Sequence, residues 1–381
     1  MRIMHVITRG HGGGTEIALS WSIRRELEEG HNVLLVTSNS AIGERIKDVC
    51  SDDFRCIIVP ELKTGFSVKK VLASHRLIKK VYKEYKPDLI HTHETVAGVV
   101  GRLIKVDKFT LRIHSVHMSV FGTVPSVWFY WLYWPLEYFL SKRTDLYIFV
   151  GRGLLQQYSD LRLRAKSGSV FAPSNFDVDK FEIEAQRKRE NRAWILEQVG
   201  LDRLSDAKIM LSVGMLERRK RHQFLLKRIS SLLNENSIFI LIGNGKEKEK
   251  IKRFVDQKGL EDFVKFVPYT RQIAKYISGA SLILHTSTLE GLSQVLIQAN
   301  ICKTPTISTR NVGTNELTHL YVIPASGYQI KTKVIEVLNN DEHEFNFDYS
   351  NWKEEEAKTR YLEALKACEK LLFRKSIEAD K

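Results

Sequence analysis

The chain predicts an α/β architecture of two consecutive doubly wound domains, and three observations carry that fold class. Its 381 residues exceed one ordinary core and suit two domains of the usual size. Apolar, strand-like runs alternate with helix-spaced segments along most of the chain. In each half the opening strand, "RIMHVIT" or "AKIMLSVG", leads into a glycine-bearing loop and then a helix, which is how a parallel α/β unit begins.

"RIMHVIT" runs into "RGHGGGTE" and then "IALSWSIRRELEEG", whose apolar residues have helical spacing and which stops at Gly30. Strand "HNVLLVTS" follows, then "FRCIIVPEL", a basic helix from Val68 to about Lys86, "PDLIHTHE", a small-residue helix "TVAGVVGRLI", "FTLRIHSVH" and "TDLYIFVGR". Six strand signals with helices between them make a first domain over residues 1–172. From about Asp177 to Asp206 charge dominates and only "RAWILEQVGL" reads as a short helix, so this stretch is expected to link the domains. The second series is "AKIMLSVGML", "QFLLKRISSLL", "SIFILIGNG", "EKEKIKRFVDQKG", "VKFVPY", "ASLILHTS", "LSQVLIQAN" and "TPTIST", within a second domain over 173–345. In the last segment, 346–381, Tyr361, Leu365, Cys368 and Leu372 fall at i, i+4, i+7 and i+11, a stripe with which a helix would dock back on the first domain.

No run of 18 apolar residues occurs, and the apolar opening is too short for a signal-peptide core, so a cytoplasmic address is expected. Cys50, Cys56, Cys302 and Cys368 lack the spacing of a zinc site or a disulfide scaffold. With 59 basic and 45 acidic residues the net charge is +14, which favours polyanionic neighbours: a phosphorylated ligand, anionic lipid or nucleic acid.

Three stretches carry candidate chemistry. Gly12, Gly13 and Gly14 free a loop to bring backbone N–H groups near an anion, although the glycine spacing is not that of a dinucleotide fingerprint. Arg218, Arg219 and Lys220, in a loop after a strand, suit a diphosphate or form a solvated charge run. In "HTSTLEGLSQVLIQAN", Glu290 precedes a helix start near Leu292 or Ser293, where free amides favour phosphate; Glu290 either reaches sugar hydroxyls or caps the helix. Gln298 lies more than a turn inside that helix, facing a ligand or lying on polar surface. The histidine pairs of "HTHE" and "RIHSVH" lack a third metal ligand, so no metal is expected, and His114 is either a polar contact at the site or a packed side chain.

Taken together and in order, these motifs resemble the GT-B fold glycosyltransferases of family 4, retaining nucleotide-sugar transferases, over nearly all of the chain. "GGTE" resembles the family's glycine loop, "RIH" its histidine strand, "SNFDVDKF" its inter-domain segment, "LSVGMLERRKRH" its phosphate loop, "STLEGLSQVLIQAN" its E-x7-E region and "TISTRNVGTNEL" the loop beyond it. The resemblance implies two domains facing across a cleft, with the first on the acceptor side and the second binding the donor. It places Gly13 and Gly14 near the donor phosphates and His114 near the transferred sugar. Lys220, with Arg218 or Arg219, would hold the diphosphate, together with the amides of Gly291, Leu292 and Ser293. Glu290 would contact the donor sugar, so that His114, Lys220 and Glu290 form the implied catalytic set. Gln298 stands where the family's second glutamate binds the ribose, Met215 where an arginine is frequent, and Phe176 where a glycine is usual.

The expected activity is retaining transfer from a nucleoside diphosphate sugar, first a UDP-sugar, to a hydroxyl of a lipid-linked glycan in cell-surface polysaccharide biosynthesis, with no cofactor and no nucleic-acid partner. Without a D-x-D pair near the donor site, an obligatory metal is not expected there. An anionic membrane surface is the expected docking partner: the helix "VKKVLASHRLIKKVYKEYK" is basic with an apolar stripe, and "VPSVWFYWLYWPLEYFL" has interfacial composition but is too interrupted to span a bilayer. A sugar-nucleotide epimerase or phosphorylase of the same fold, or a non-catalytic basic nucleic-acid-binding or scaffold protein, are the alternatives.

Overall fold

In the computed structural model the described residues are 1–8, 14–47, 54–63, 67–118, 120–121, 127–173, 175–314, 316–317, 319–340 and 342–379. The chain divides into two units, Met1–Phe176 with Asn351–Lys381, and Asp177–Ser350.

The first unit runs β1 (Arg2–Ile7), α1 (Gly14–Glu28), β2 (Asn32–Thr37), α2 (Ser40–Lys47), β3 (Arg55–Ile58), α3 (Val68–Tyr85), β4 (Leu89–His93), α4 (Thr95–Leu103), β5 (Leu111–Val116), α5 (Val127–Ser141), β6 (Leu146–Phe149), α6 (Arg152–Asp160) and β7 (Ser169–Phe171). Its strands are parallel and ordered β3-β2-β1-β4-β5-β6-β7, so the winding reverses between β1 and β4. The seventh strand, absent from the sequence reading, pairs with β6 through only three residues.

Alternation along the strands decides which helices cover which face. Met4 and Val6 share a core with Ile78 and Tyr82 of α3 and Ala97 and Val100 of α4. Ile7 joins Leu19 and Ile23 of α1.

The second unit begins with α7 (Val178–Ala185) and α8 (Lys188–Gln198), followed by β8 (Lys208–Val213), a 3₁₀ turn at Arg218–Lys220, α9 (His222–Ile229), β9 (Ser237–Ile242), α10 (Lys248–Gln257) and β10 (Val264–Val267). It continues with α11 (Ile273–Gly279), β11 (Leu282–His285), α12 (Gln294–Ile301), β12 (Thr306–Thr309), β13 (Tyr321–Ile323) and α13 (Ile330–Leu338). The sheet order is β10-β9-β8-β11-β12-β13, with the reversal between β8 and β11. Its core gathers Met210, Phe239, Leu241, Leu282 and Leu284 from the strands and Leu225, Ile229, Phe254 and Val334 from the helices.

Residues 177–206 are therefore no simple link. Helices α7 and α8 pack on α11, burying Val178, Phe181, Ile195 and Leu196, while Asp179, Arg189 and Glu190 are exposed. After the second unit, α14 (Glu354–Ala379) returns to the first sheet, where Tyr361, Ala364, Leu365 and Cys368 join Ile3, Leu89, Leu111 and Ile113 in one core.

Candidate functional site

Ligands of doubly wound sheets bind beyond the carboxyl ends of the strands, where the winding reverses. In the second unit that point is the pair β8 and β11, and the loops leaving these strands are tied together. Gly214 leaves β8 with φ 145° and Gly243 leaves β9 with φ 141°, conformations an L side chain rarely adopts. A Cβ on Gly243 would stand 2.0 Å from the Gly214 carbonyl oxygen, so the loops approach this closely only because residue 243 is glycine. Leu216 N–H donates to Asn244 O, and Glu247 N–H donates back to Leu216 O. On the other side, Thr286 Oγ1 donates to Lys220 O at 2.9 Å and Thr288 N–H to Arg219 O at 3.0 Å. The cationic turn is thereby fixed against the loop that carries Glu290.

Three basic groups converge on one oxygen of that glutamate. Lys220 Nζ lies 2.5 Å from Glu290 Oε1, Arg219 Nη1 3.4 Å from it, and His285 Nε2 3.4 Å from it without hydrogen-bond alignment. Among the described residues, Oε2 has no partner. Burial of Glu290 raises its pKa, but Lys220, His285 and Arg219 together hold it well below the usual carboxylate range, so it is ionised. His285 is pushed down by burial and by Lys220, and His222, beside the turn, is pushed down to about 3 by burial and then Lys220; both are neutral at pH 7.

The helix after Glu290 starts later than the sequence suggests, at Gln294 with Ser293 at the N-cap, and the Ser293 side chain makes no capping bond. Glu290 is not the cap; its carboxylate is held by Lys220 and Arg219. Among the described residues no hydrogen bond takes up the backbone N–H of Gly291, Leu292 or Ser293, which leaves donors at the positive end of α12. Gln298 is 8% exposed and is not polar surface. Of the three cations, Lys220 and Arg219 belong to this cluster, whereas Arg218 is exposed and makes no ion pair among the described residues.

In the first unit Gly13 lies outside the described residues, and Gly14 opens α1. His114, on β5, is buried, with Nδ1 2.9 Å from Thr92 Oγ1. Because the Thr92 hydroxyl donates to Ile113 O at 3.1 Å, the ring supplies Nδ1–H and Nε2 remains an acceptor. Beneath it Arg102, fully buried, is bidentate to Glu137 at 2.7 and 2.8 Å, with Tyr147 and Tyr133 closing the network. The pair within "HTHE" has a third histidine beside it. His5 of β1 stands against His91 and His93 of β4, which local spacing within "HTHE" could not reveal.

His222 and His285 also escaped assignment, although each sits inside a motif singled out by sequence. A cavity of about 690 Å³ in the second unit lies elsewhere, lined by Lys208, Ser281 and Pro305 at the amino ends of the strands, and no group of the Glu290 cluster reaches it.

Residues 198–352 match the family described as Glycosyl transferases group 1, and residues 13–171 match Glycosyltransferase Family 4. The UDP-Gal:alpha-D-GlcNAc-diphosphoundecaprenol alpha-1,3-galactosyltransferase of Escherichia coli is 24% identical over 277 residues, 71% of this chain and 70% of its own length. The N-acetylgalactosamine-N,N'-diacetylbacillosaminyl-diphospho-undecaprenol 4-alpha-N-acetylgalactosaminyltransferase of Campylobacter jejuni is 29% identical over 118 residues, 30% of this chain and 32% of its own. Anabaena Alr3699/HepE in complex with UDP-glucose superposes with a TM-score of 0.75 at 16% identity, covering 96% of this chain and 100% of that one.

Proposed function

The chain belongs with the GT-B fold glycosyltransferases of the family 4 type, and we propose that it moves a sugar with retention from a nucleoside diphosphate donor, first a UDP-sugar, to a hydroxyl of a lipid-linked glycan. The observation that carries this reading is the convergence of Lys220, Arg219 and the unclaimed amides of Gly291 to Ser293 on the Glu290 loop at the reversal of the second sheet. Cationic donors fixed beside a helix N-terminus suit a pyrophosphate, whose negative charge grows as it leaves. Glu290 offers its free Oε2 to a hydroxyl of the donor sugar, and Gln298 offers amide hydrogen bonds to the ribose. His114, with Nε2 as acceptor, is equipped to take a hydrogen from a sugar hydroxyl. The leaving phosphate accepts the proton of the attacking hydroxyl, so the step needs no enzymic nucleophile. The Escherichia coli and Campylobacter jejuni relatives, named for undecaprenyl-diphosphate-linked acceptors, support the acceptor class, and the UDP-glucose complex of the Anabaena protein supports the donor class. None of the three relatives is named as an epimerase, a phosphorylase or a nucleic-acid binder.

A membrane surface is the proposed place of work. No helix among the described residues is long and apolar enough to cross a bilayer. On α5, Tyr133, Glu137 and Leu140 point inward while Trp131 is 70% and Leu132 77% exposed, with Phe139 beside them. On α3, Val68 and Leu72 are exposed among Lys69, Lys70, Arg76 and Lys79. Exposed aromatic and aliphatic side chains with neighbouring cations suit an anionic interface.

The test supplies labelled UDP-, GDP-, ADP- and TDP-sugars with a polyprenyl-diphosphate-linked acceptor and follows label into the lipid extract. One donor should give lipid-linked product with its anomeric configuration kept. Label that is isomerised, passes to phosphate or arrives inverted overturns the proposal.

A further inference from the structure

Near the amino ends of β1, β4 and β5 one face of the first sheet is apolar, with Ile3, Leu89, Leu111 and Ile113 packed under α14. Toward the carboxyl ends of β1 and β4 the same face turns to histidine. His5 and His91 are register partners on these neighbouring strands, and His93, two residues on, projects from the same side. All three are buried, and one ring nitrogen from each lies within 4.8 Å of the other two.

Their outward nitrogens are all engaged. His5 Nε2 meets Glu26 Oε2 at 2.7 Å, His91 Nε2 meets Ser115 Oγ at 2.7 Å, and His93 Nδ1 meets His117 Nε2 at 3.0 Å. The remaining nitrogens are His5 Nδ1 and His93 Nε2, 2.9 Å apart, and His91 Nδ1, which has no partner although the residue is only 1% exposed. Three imidazoles with nitrogens this close, each ring held from behind by a carboxylate, hydroxyl or second imidazole, carry the ligand type and the supporting hydrogen bonds of a metal site. We propose that His5 Nδ1, His91 Nδ1 and His93 Nε2 form a site for a divalent transition-metal ion, zinc or one of similar preference.

The protons balance. Tyr361 donates its hydroxyl proton to Glu26 Oε1 at 2.6 Å, and His5 donates Nε2–H to Oε2, which leaves Nδ1 with a lone pair. His91 donates Nε2–H to Ser115 and likewise frees Nδ1. Without the ion, His93 donates Nε2–H to His5. Ligation requires that proton on Nδ1 instead, where His117 accepts it after its own change of tautomer. The rearrangement moves protons between ring nitrogens and releases none from His93 or His117. Tetrahedral bonds of about 2.0–2.1 Å set ligand nitrogens about 3.3 Å apart, so the widest pair closes by about 1.5 Å through ring rotation. Three neutral nitrogen donors suit zinc, cobalt, nickel or copper and disfavour magnesium and calcium. The Glu26 carboxylate behind His5 offsets part of the charge.

This site stands apart from the sugar-transfer reading and is tested without it. Tag-free, chelator-treated full-length protein is titrated with Co²⁺, whose visible absorption reports tetrahedral nitrogen ligation, and zinc retained after gel filtration is measured. The expected result is about one equivalent of zinc, a cobalt band that zinc removes, and no effect of magnesium. His91→Ala should weaken binding by at least about 100-fold, and Ser115→Ala, which keeps every ligand but frees the His91 ring, by roughly 10-fold or more. If His91→Ala does not fold, as judged by circular dichroism, Ser115→Ala decides. Uptake below stoichiometry in the wild type identifies the cluster as a hydrogen-bonded relay and overturns the proposal, as does uptake unchanged in the folded variants.

Discussion

Lys220 and Glu290 hold each other at 2.5 Å, yet their substitutions are predicted to differ in effect. Lys220→Ala removes a diphosphate ligand and leaves a buried carboxylate with less compensation. Losing one partner of such a pair costs roughly 2–5 kcal/mol, so calorimetry should show UDP affinity falling by about 30-fold or more. Glu290→Gln instead releases the lysine. Nucleotide affinity should stay level or rise while the transfer rate falls by at least about 100-fold, since the lost interaction belongs to the sugar. A fall in UDP affinity equal to that of Lys220→Ala would remove the assigned division of labour. Deeper in the first unit, Glu137→Gln leaves the buried Arg102 guanidinium facing a neutral amide. Breaking one side of a buried ion pair costs about 3–5 kcal/mol, read as a lowered denaturation midpoint.

Among the elements, the glycine crossing of the β8 and β9 loops is the tightest constraint on the donor site. Gly243→Ala drives a methyl into the Gly214 carbonyl and forces φ 141° on an alanine, so it should displace the cationic turn and cost UDP affinity even where the fold survives. Thermal melting alongside calorimetry separates these outcomes, and wild-type affinity in the variant would show that the loops do not set the turn. How far the elements could be read from sequence follows from their own physics. Parallel strands buried on both faces appear as continuous apolar runs, so β1, β2, β8, β9 and β11 were legible. Strand β7 was not, because three residues carry no pattern. Helix α7 and the start of α8 were obscured because few of their positions are buried against many that are charged, whereas the later part of α8, "RAWILEQ", was legible. The Glu290 and Lys220 motifs were legible because each lies on one loop. Their 2.5 Å contact, and the meeting of His5 with His93 across 88 residues, arise from strand pairing that no local spacing encodes.

Across the chain as a whole, buried histidines set the response to acid. His117 is pushed down to about 4 by burial, His222 to about 3 by burial and Lys220, and His319 to about 4 by burial, while His91, His93 and His114 lie well below their ordinary value. Unfolded, each titrates near 6.5, so between about 6.5 and these lower values the unfolded chain binds more protons. The stability contributed by the neutral rings is fully present above pH 6.5 and lost as pH falls toward 4. Melting at pH 5.0 should therefore come at least about 5 °C below that at pH 7.5; an equal or higher Tm at pH 5.0 would mean that the rings are not held neutral. The net charge of +14 and the exposed face of α5 predict sedimentation with anionic vesicles, weakened by salt and by Trp131→Ala with Leu132→Ala, but not with zwitterionic vesicles.

The most direct measurement is calorimetric titration of UDP into the wild type and Lys220→Ala side by side. A pyrophosphate seated on Lys220, Arg219 and the amino end of α12 predicts saturable one-to-one binding by the wild type and its near loss in the variant. Equal affinity in the two proteins would place the nucleotide elsewhere and contradict the proposed donor site.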